Sequence, residues 1–136
     1  MSLFNNNLTC NSNLYVSGNS FMNSTTTINS SLNISGSSLI QGSTTITGNL
    51  FISGGTLLQG YTTINSTLSI NDKLTINGAS TINSLLYISG NTNINGELTI
   101  SSLLNVNGNT LILGSITVNS QLSVSNNTII EGDTTV

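Results

Sequence analysis

The sequence predicts an all-β fold: a single-chain, three-sided parallel β-helix with 18 residues per coil. Three observations predict it. Counting by six from Phe4, positions 4, 10, 16 and 22 read Phe, Cys, Val and Met, and every sixth position from Ile28 to Val136 is Ile, Leu or Val. The residue two before is Leu at 14, 32, 50, 68, 86, 104 and 122, a second spacing of 18, or three hexads. Pro, which removes a ladder donor wherever it enters a sheet, is absent. A fixed short period of this kind belongs to a solenoid built by stacking.

Each hexad reads as one strand and one corner. The pattern around the aliphatic alternates in-out-in, which is strand periodicity and not helix periodicity. Two residues after the aliphatic sits Gly, Ser, Asn or Asp, from Gly18 to Gly132. That small residue is expected to turn the corner at positive φ, which Gly adopts at least cost and Asn or Asp tolerate. All glycines except Gly55 fall in this phase. Residues 1–136 are one solenoid domain, with about 1–12 an irregular or partial first coil. At 18 residues per coil, 136 residues make roughly seven and a half coils, a rod about 35 Å long at about 4.8 Å per coil. The periodicity leaves the handedness of the coil open.

Three intertwined chains, each giving one hexad per coil, would also close a triangle. All three sides would then be equivalent, and nothing would favour a third-hexad period. The sides are not equivalent. Side A holds Val16, Ile34, Ile52 and their successors, with Tyr15, Asn33, Phe51, Ser69, Tyr87, Asn105 and Ser123 facing outward, so aromatics recur every second coil. Side B holds Met22, Ile40 and Leu58, and its outward residues include Phe21, Leu39, Leu57, Leu111 and Ile129, with Leu113 added. Exposed apolar stripes mark interfaces, and these six residues are the candidate interface for another chain. Side C holds Ile28, Ile46 and Ile64, with Thr27, Thr45, Thr63, Thr81, Thr99, Thr117 and Thr135 outward. This Thr ladder is the second candidate surface.

Chemistry is largely excluded. There is no His, Arg or Trp, and the acids are only Asp72, Glu97, Glu131 and Asp133. Asp72 stands in for Gly at a corner, and Glu131 and Asp133 lie near one end on neighbouring sides. No catalytic, cofactor-binding or metal residue is expected, and the chain is not expected to be an enzyme. Cys10 falls on the inward phase as a small hydrophobe. A net charge of −3 with a single Lys offers no basic face for nucleic acid. No apolar run reaches the roughly 20 residues of a membrane span. MSLFNNNLTC has neither the basic nor the apolar region of a secretory signal. Sequons such as Asn7-Leu8-Thr9 arise by chance in a chain so rich in Asn, Ser and Thr.

Several families share parts of the pattern. Hexapeptide-repeat acyltransferases resemble the chain in architecture, but they place Gly directly after the aliphatic and use a His base, which is absent here. Calcium-binding β-rolls repeat GGxGxD nonapeptides, and nothing like that recurs. Side C resembles the T-x-T arrays of β-helical ice-binding proteins, with a second rank mainly of Asn instead of Thr. Bactofilins share the I-x-G-x spacing but are usually richer in charge. Strings such as LYISGNTNINGELTISSLLNVNGNT resemble the LxVxGxTxLxG repeats of phage tail fibres and of fibre-like proteins of large DNA viruses, from about Leu8 to Val136.

That last resemblance implies a shaft: a rigid, protease-resistant spacer on a virion or other extracellular surface such as an adhesin, often a trimer, with receptor binding elsewhere. Self-association is the expected partnership, lateral or end to end. The end-to-end option follows from the terminal segments, where neither MSLFNN nor Val136 carries a capping helix or charged plug. An ice-binding protein using side C is the second reading, and a bactofilin-like filament the third.

Overall fold

A computed structural model describes all residues, Met1–Val136. It is a β-solenoid of 23 strands and no helix. Most strands span three residues, because a hexad leaves three positions extended and three to turn. The first coil contributes β1 (Ser2–Phe4), β2 (Leu8–Cys10) and β3 (Leu14–Val16); the last strands are β21 (Gln121–Val124), β22 (Thr128–Ile130) and β23 (Thr134–Thr135). Every third strand joins the same sheet. Side B is an eight-stranded sheet from β1 to β22, side C an eight-stranded sheet from β2 to β23, and side A a seven-stranded sheet from β3 to β21. A parallel pair needs a long crossover. Here the other two sides of the coil are that crossover.

Every pairing is parallel and offset by 18 residues within the one chain. Leu50 pairs with Leu68 on side A, and Ile46, Ile64 and Ile82 follow one another on side C. Hydrogen bonds between coils continue past the strands into the corners, as in Leu32 N–H to Asn49 O at 2.9 Å and Asn65 N–H to Ile46 O at 2.9 Å. Residues 2–10 already form two regular sides, paired with Ser20–Met22 and Thr26–Ile28. With Leu14–Val16, paired to Leu32–Ile34, they make a regular first coil with a strand on all three sides.

The interior is one cluster of 26 buried hydrophobic residues. Its packing follows a size rule. Each coil has three inward positions ahead of the aliphatics, and at least one is always Ser or Thr. Side A supplies Leu in every coil. Where side B brings Leu74, side C brings Ser80; where side C brings Leu98 or Ile116, side B brings Thr92 or Thr110. A triangle of constant width has no room for three large groups at one level, and interiors pack near crystal density. The cost is polar burial. The hydroxyls of Ser20, Ser38, Thr44, Thr56, Thr62, Ser80, Thr92 and Thr110 are buried without a hydrogen-bond partner, so each subtracts from what the neighbouring methyls contribute.

The corners correct one expectation. No residue, Gly included, has positive φ. Glycine is required by close approach instead. At the corner between sides B and C stand Gly42, Gly60, Gly78, Gly96, Gly114 and Gly132, each one coil from the next. A Cβ on Gly96 would enter the carbonyl oxygen of Gly78, and one on Gly114 the carbonyl of Gly96. The coils stack so tightly here that the backbone below occupies the place of the side chain.

Phe4 and Cys10 are half-buried and pack against the core. The Cys10 thiol donates to the Ser12 carbonyl at 3.1 Å. Ile130 and Val136 lie on the inward phase and are 43% and 63% exposed.

Candidate functional surfaces

With the interior filled, function falls to three outer faces and three corners. On side C the strands bring the predicted threonines into one column. Thr27, Thr45, Thr63, Thr81, Thr99, Thr117 and Thr135 pair in sequence. The column also takes in Thr9, which pairs with Thr27. Eight threonines thus repeat at the coil rise of about 4.8 Å. β-Branched side chains suit such a pleated surface. The rank beside them is mainly amide, and its amides bond to one another: Asn29 Nδ2 donates to Asn11 Oδ1 at 2.7 Å, and Asn83 Nδ2 to Asn65 Oδ1 at 2.8 Å.

Side B is concave. A groove of about 520 Å³ runs past Phe21, Leu39 and Leu57, and a second of about 460 Å³ past Thr92, Asn93, Leu111 and Ile129. The two meet at Lys73 and Thr75, which line both. The outward row continues to Leu3, paired with Phe21. Phe21, Leu39, Leu57 and Leu111 are half-buried in this hollow; Ile129 is 57% exposed. Leu113 stands apart from the row. It follows Ile112 on the flank toward the glycine corner and is 45% exposed. The face is therefore apolar at both ends, polar in the middle, and carries the one cationic side chain of the protein.

The outward row of side A is free of charge. Tyr15, Phe51 and Tyr87 are exposed, and each is separated from the next by one polar residue, Asn33 and then Ser69. The acids do not converge on any face, and no three His, Cys, Asp or Glu groups lie together to hold a metal ion.

The corners hold residues that the sequence reading passed over. Ahead of several strands of sides A and B, Asn side chains accept the backbone N–H one coil on. Asn13 Oδ1 takes the Ser31 N–H at 3.1 Å, and Asn49 Oδ1 the Thr67 N–H at 3.0 Å. Asn19 Oδ1 takes the Ser37 N–H at 2.9 Å, and Asn91 Oδ1 the Asn109 N–H at 2.8 Å. A corner turns its amides away from the ladder, and these acceptors satisfy them. Elsewhere amides pair along the axis, as in Gln41 Nε2 to Gln59 Oε1 at 2.8 Å and Asn95 Nδ2 to Asn77 Oδ1 at 3.0 Å. The signal for this was the 18-residue recurrence of amide residues outside the inward phases. No protein-family model, curated protein or solved structure matches the chain.

Proposed function

We propose that the protein is a non-enzymatic structural module, the shaft of a virion or adhesin fibre. The observation that carries this reading is the unbroken 18-residue register, from Ser2 paired with Ser20 to Thr117 paired with Thr135. No coil has a bulge or an insertion that breaks the 18-residue pairing. What is conserved from coil to coil is rise and cross-section, the properties of a spacer. The resemblance of the hexads to fibre repeats points the same way. The partner is a second copy of this chain, lying along the side B groove. Repeat architectures add coils as nearly independent units. Duplicating residues 68–85 should therefore lengthen the particle seen by small-angle scattering by one rise, about 4.8 Å, with melting and protease resistance retained. A duplication that unfolds the chain, or a particle that is compact instead of rod-shaped, would overturn the shaft. Presence of the chain in purified virions would support the viral setting, and absence would remove it.

One observation favours a second reading, the ice-binding surface: eight threonines in register on one parallel sheet. Freezing-point hysteresis decides it. A measurable gap that disappears in Thr63→Lys with Thr81→Lys would replace the shaft with an ice-binding role. Long filaments in electron micrographs of the purified chain would instead favour the bactofilin-like reading.

A further inference from the structure

Side A combines three features that a packing role does not require together. Its three rings are all exposed, Tyr15 most, at 71%, with Phe51 at 42% and Tyr87 at 37%. They recur every second coil, so ring follows ring at about 9.6 Å along the coil axis. The face is also neutral: the outward row, and the exposed rank Ser17, Ser35, Ser53 and Asn71 beside it, carry no charge. Aromatic rings placed singly on a pleated face are not stacked on one another. Each keeps more than a third of its surface open to an outside group, and between one ring and the next lies a short polar residue, Asn33 or Ser69.

We propose that side A is a binding face for a straight, uncharged glycan of β-1,4-linked hexoses. In such a chain successive sugars are flipped, so only every second sugar presents the same C–H face to one side. The disaccharide repeat is close in length to two coils. Each ring then stacks on alternate sugars, where an aromatic plane covers the apolar C–H face of a pyranose. The serine rank and Asn33 and Ser69 lie level with the sugar hydroxyls. Neutrality suits an uncharged polymer and disfavours sulfated or phosphorylated ones. Helically wound α-1,4-linked glucan has no straight repeat of this length and is excluded by the same geometry.

The test is calorimetric titration of the full chain with three soluble hexaoses: β-1,4-linked glucose, β-1,4-linked N-acetylglucosamine and α-1,4-linked glucose. One or both β-linked sugars should bind saturably and the α-linked one should not; which β-linked sugar binds identifies the polymer. Replacing Phe51 by Ala should weaken binding about threefold to tenfold. The sharper variant exchanges two residues, Asn33→Phe with Phe51→Asn. It keeps the number of rings and moves one by a single coil. Binding should fall as far as in Phe51→Ala, while the melting curve stays that of the parent. The proposal is overturned if no β-linked hexaose binds, if the α-linked one binds equally well, or if the exchanged variant binds like the parent.

Discussion

Gly96 offers the most exacting test of how the corners are built. A Cβ there would run into the Gly78 carbonyl oxygen, with the Gly78 carbonyl carbon at 2.8 Å and the Asn77 carbonyl carbon at 2.9 Å. All are backbone atoms of the coil below. They cannot rotate away, because hydrogen bonds pin the two coils together: Asn95 N–H to Ile76 O at 2.8 Å and Gly96 N–H to Ile76 O at 3.1 Å. Gly96→Ala must therefore part the coils at that corner. Overpacking of this kind costs about 1–3 kcal/mol. The Ala variant recovers up to about 1 kcal/mol by restricting the unfolded chain. The net loss lies between about 0 and 3 kcal/mol, centred near 1–2, and the centre corresponds to about 3–8 °C in melting temperature. Gly55 is the control. A Cβ there meets only Lys73 Cγ at 3.4 Å and Asp72 Oδ2 at 3.7 Å, ordinary contacts with mobile side chains. Gly55→Ala should be neutral or stabilising by up to about 1 kcal/mol. Urea unfolding followed by far-ultraviolet circular dichroism measures both. A third variant separates steric crowding from backbone conformation. Asn tolerates positive φ better than Ala, so Gly96→Asn would be the milder change if the corner needed that conformation. With φ negative it should be at least as damaging as Ala. If Asn proves milder, or if Gly96→Ala and Gly55→Ala behave alike, the close-approach account is wrong.

Three further outcomes follow from particular contacts. Ile82 is fully buried between Ile64 and Ile100, so Ile82→Asp, which places a charge without a partner in the column, should lose several kcal/mol, of order 3–5; a melt within a degree or two of the parent would contradict the register. Asn49→Ala leaves the Thr67 N–H without its 3.0 Å acceptor and should cost about 1 kcal/mol, with faster hydrogen exchange at Thr67 as the direct readout; unchanged exchange would show that the side chain does not cap the corner. Leu39→Lys with Leu57→Lys places two charges in the side B groove and should lower the mass measured by light scattering while the dichroism spectrum stays that of the rod; an unchanged mass, or a parent already monomeric, would reject side B as the interface.

Some of this structure was legible in one dimension. Side-chain direction in a strand alternates residue by residue, so the hexad marked Ile64 and Ile82 as inward and Thr63 and Thr81 as outward without reference to any neighbour. The difference between hexads of one coil, Leu at 50 and 68 against Thr at 62 and Ser at 80, carried the 18-residue coil and excluded three intertwined chains. Partners 18 apart then followed for all three faces, and with them the Thr column of side C.

What the sequence left open depends on distances between coils. Why glycine recurs from Gly42 to Gly132 is a matter of how near one corner's carbonyl lies to the next corner's α-carbon. Local chemistry favoured positive φ for those residues; stacking at the coil rise decided for crowding instead. The hollow of side B is of the same kind. Phase marks Phe21 and Leu39 as outward, and outward they are, but phase does not show that their neighbours leave them half-buried along a groove. Nor does it show that Asn49 points along the axis to Thr67. These features arise only when residues distant in the chain are brought into contact, and a repeat that names the neighbour does not state how close it comes.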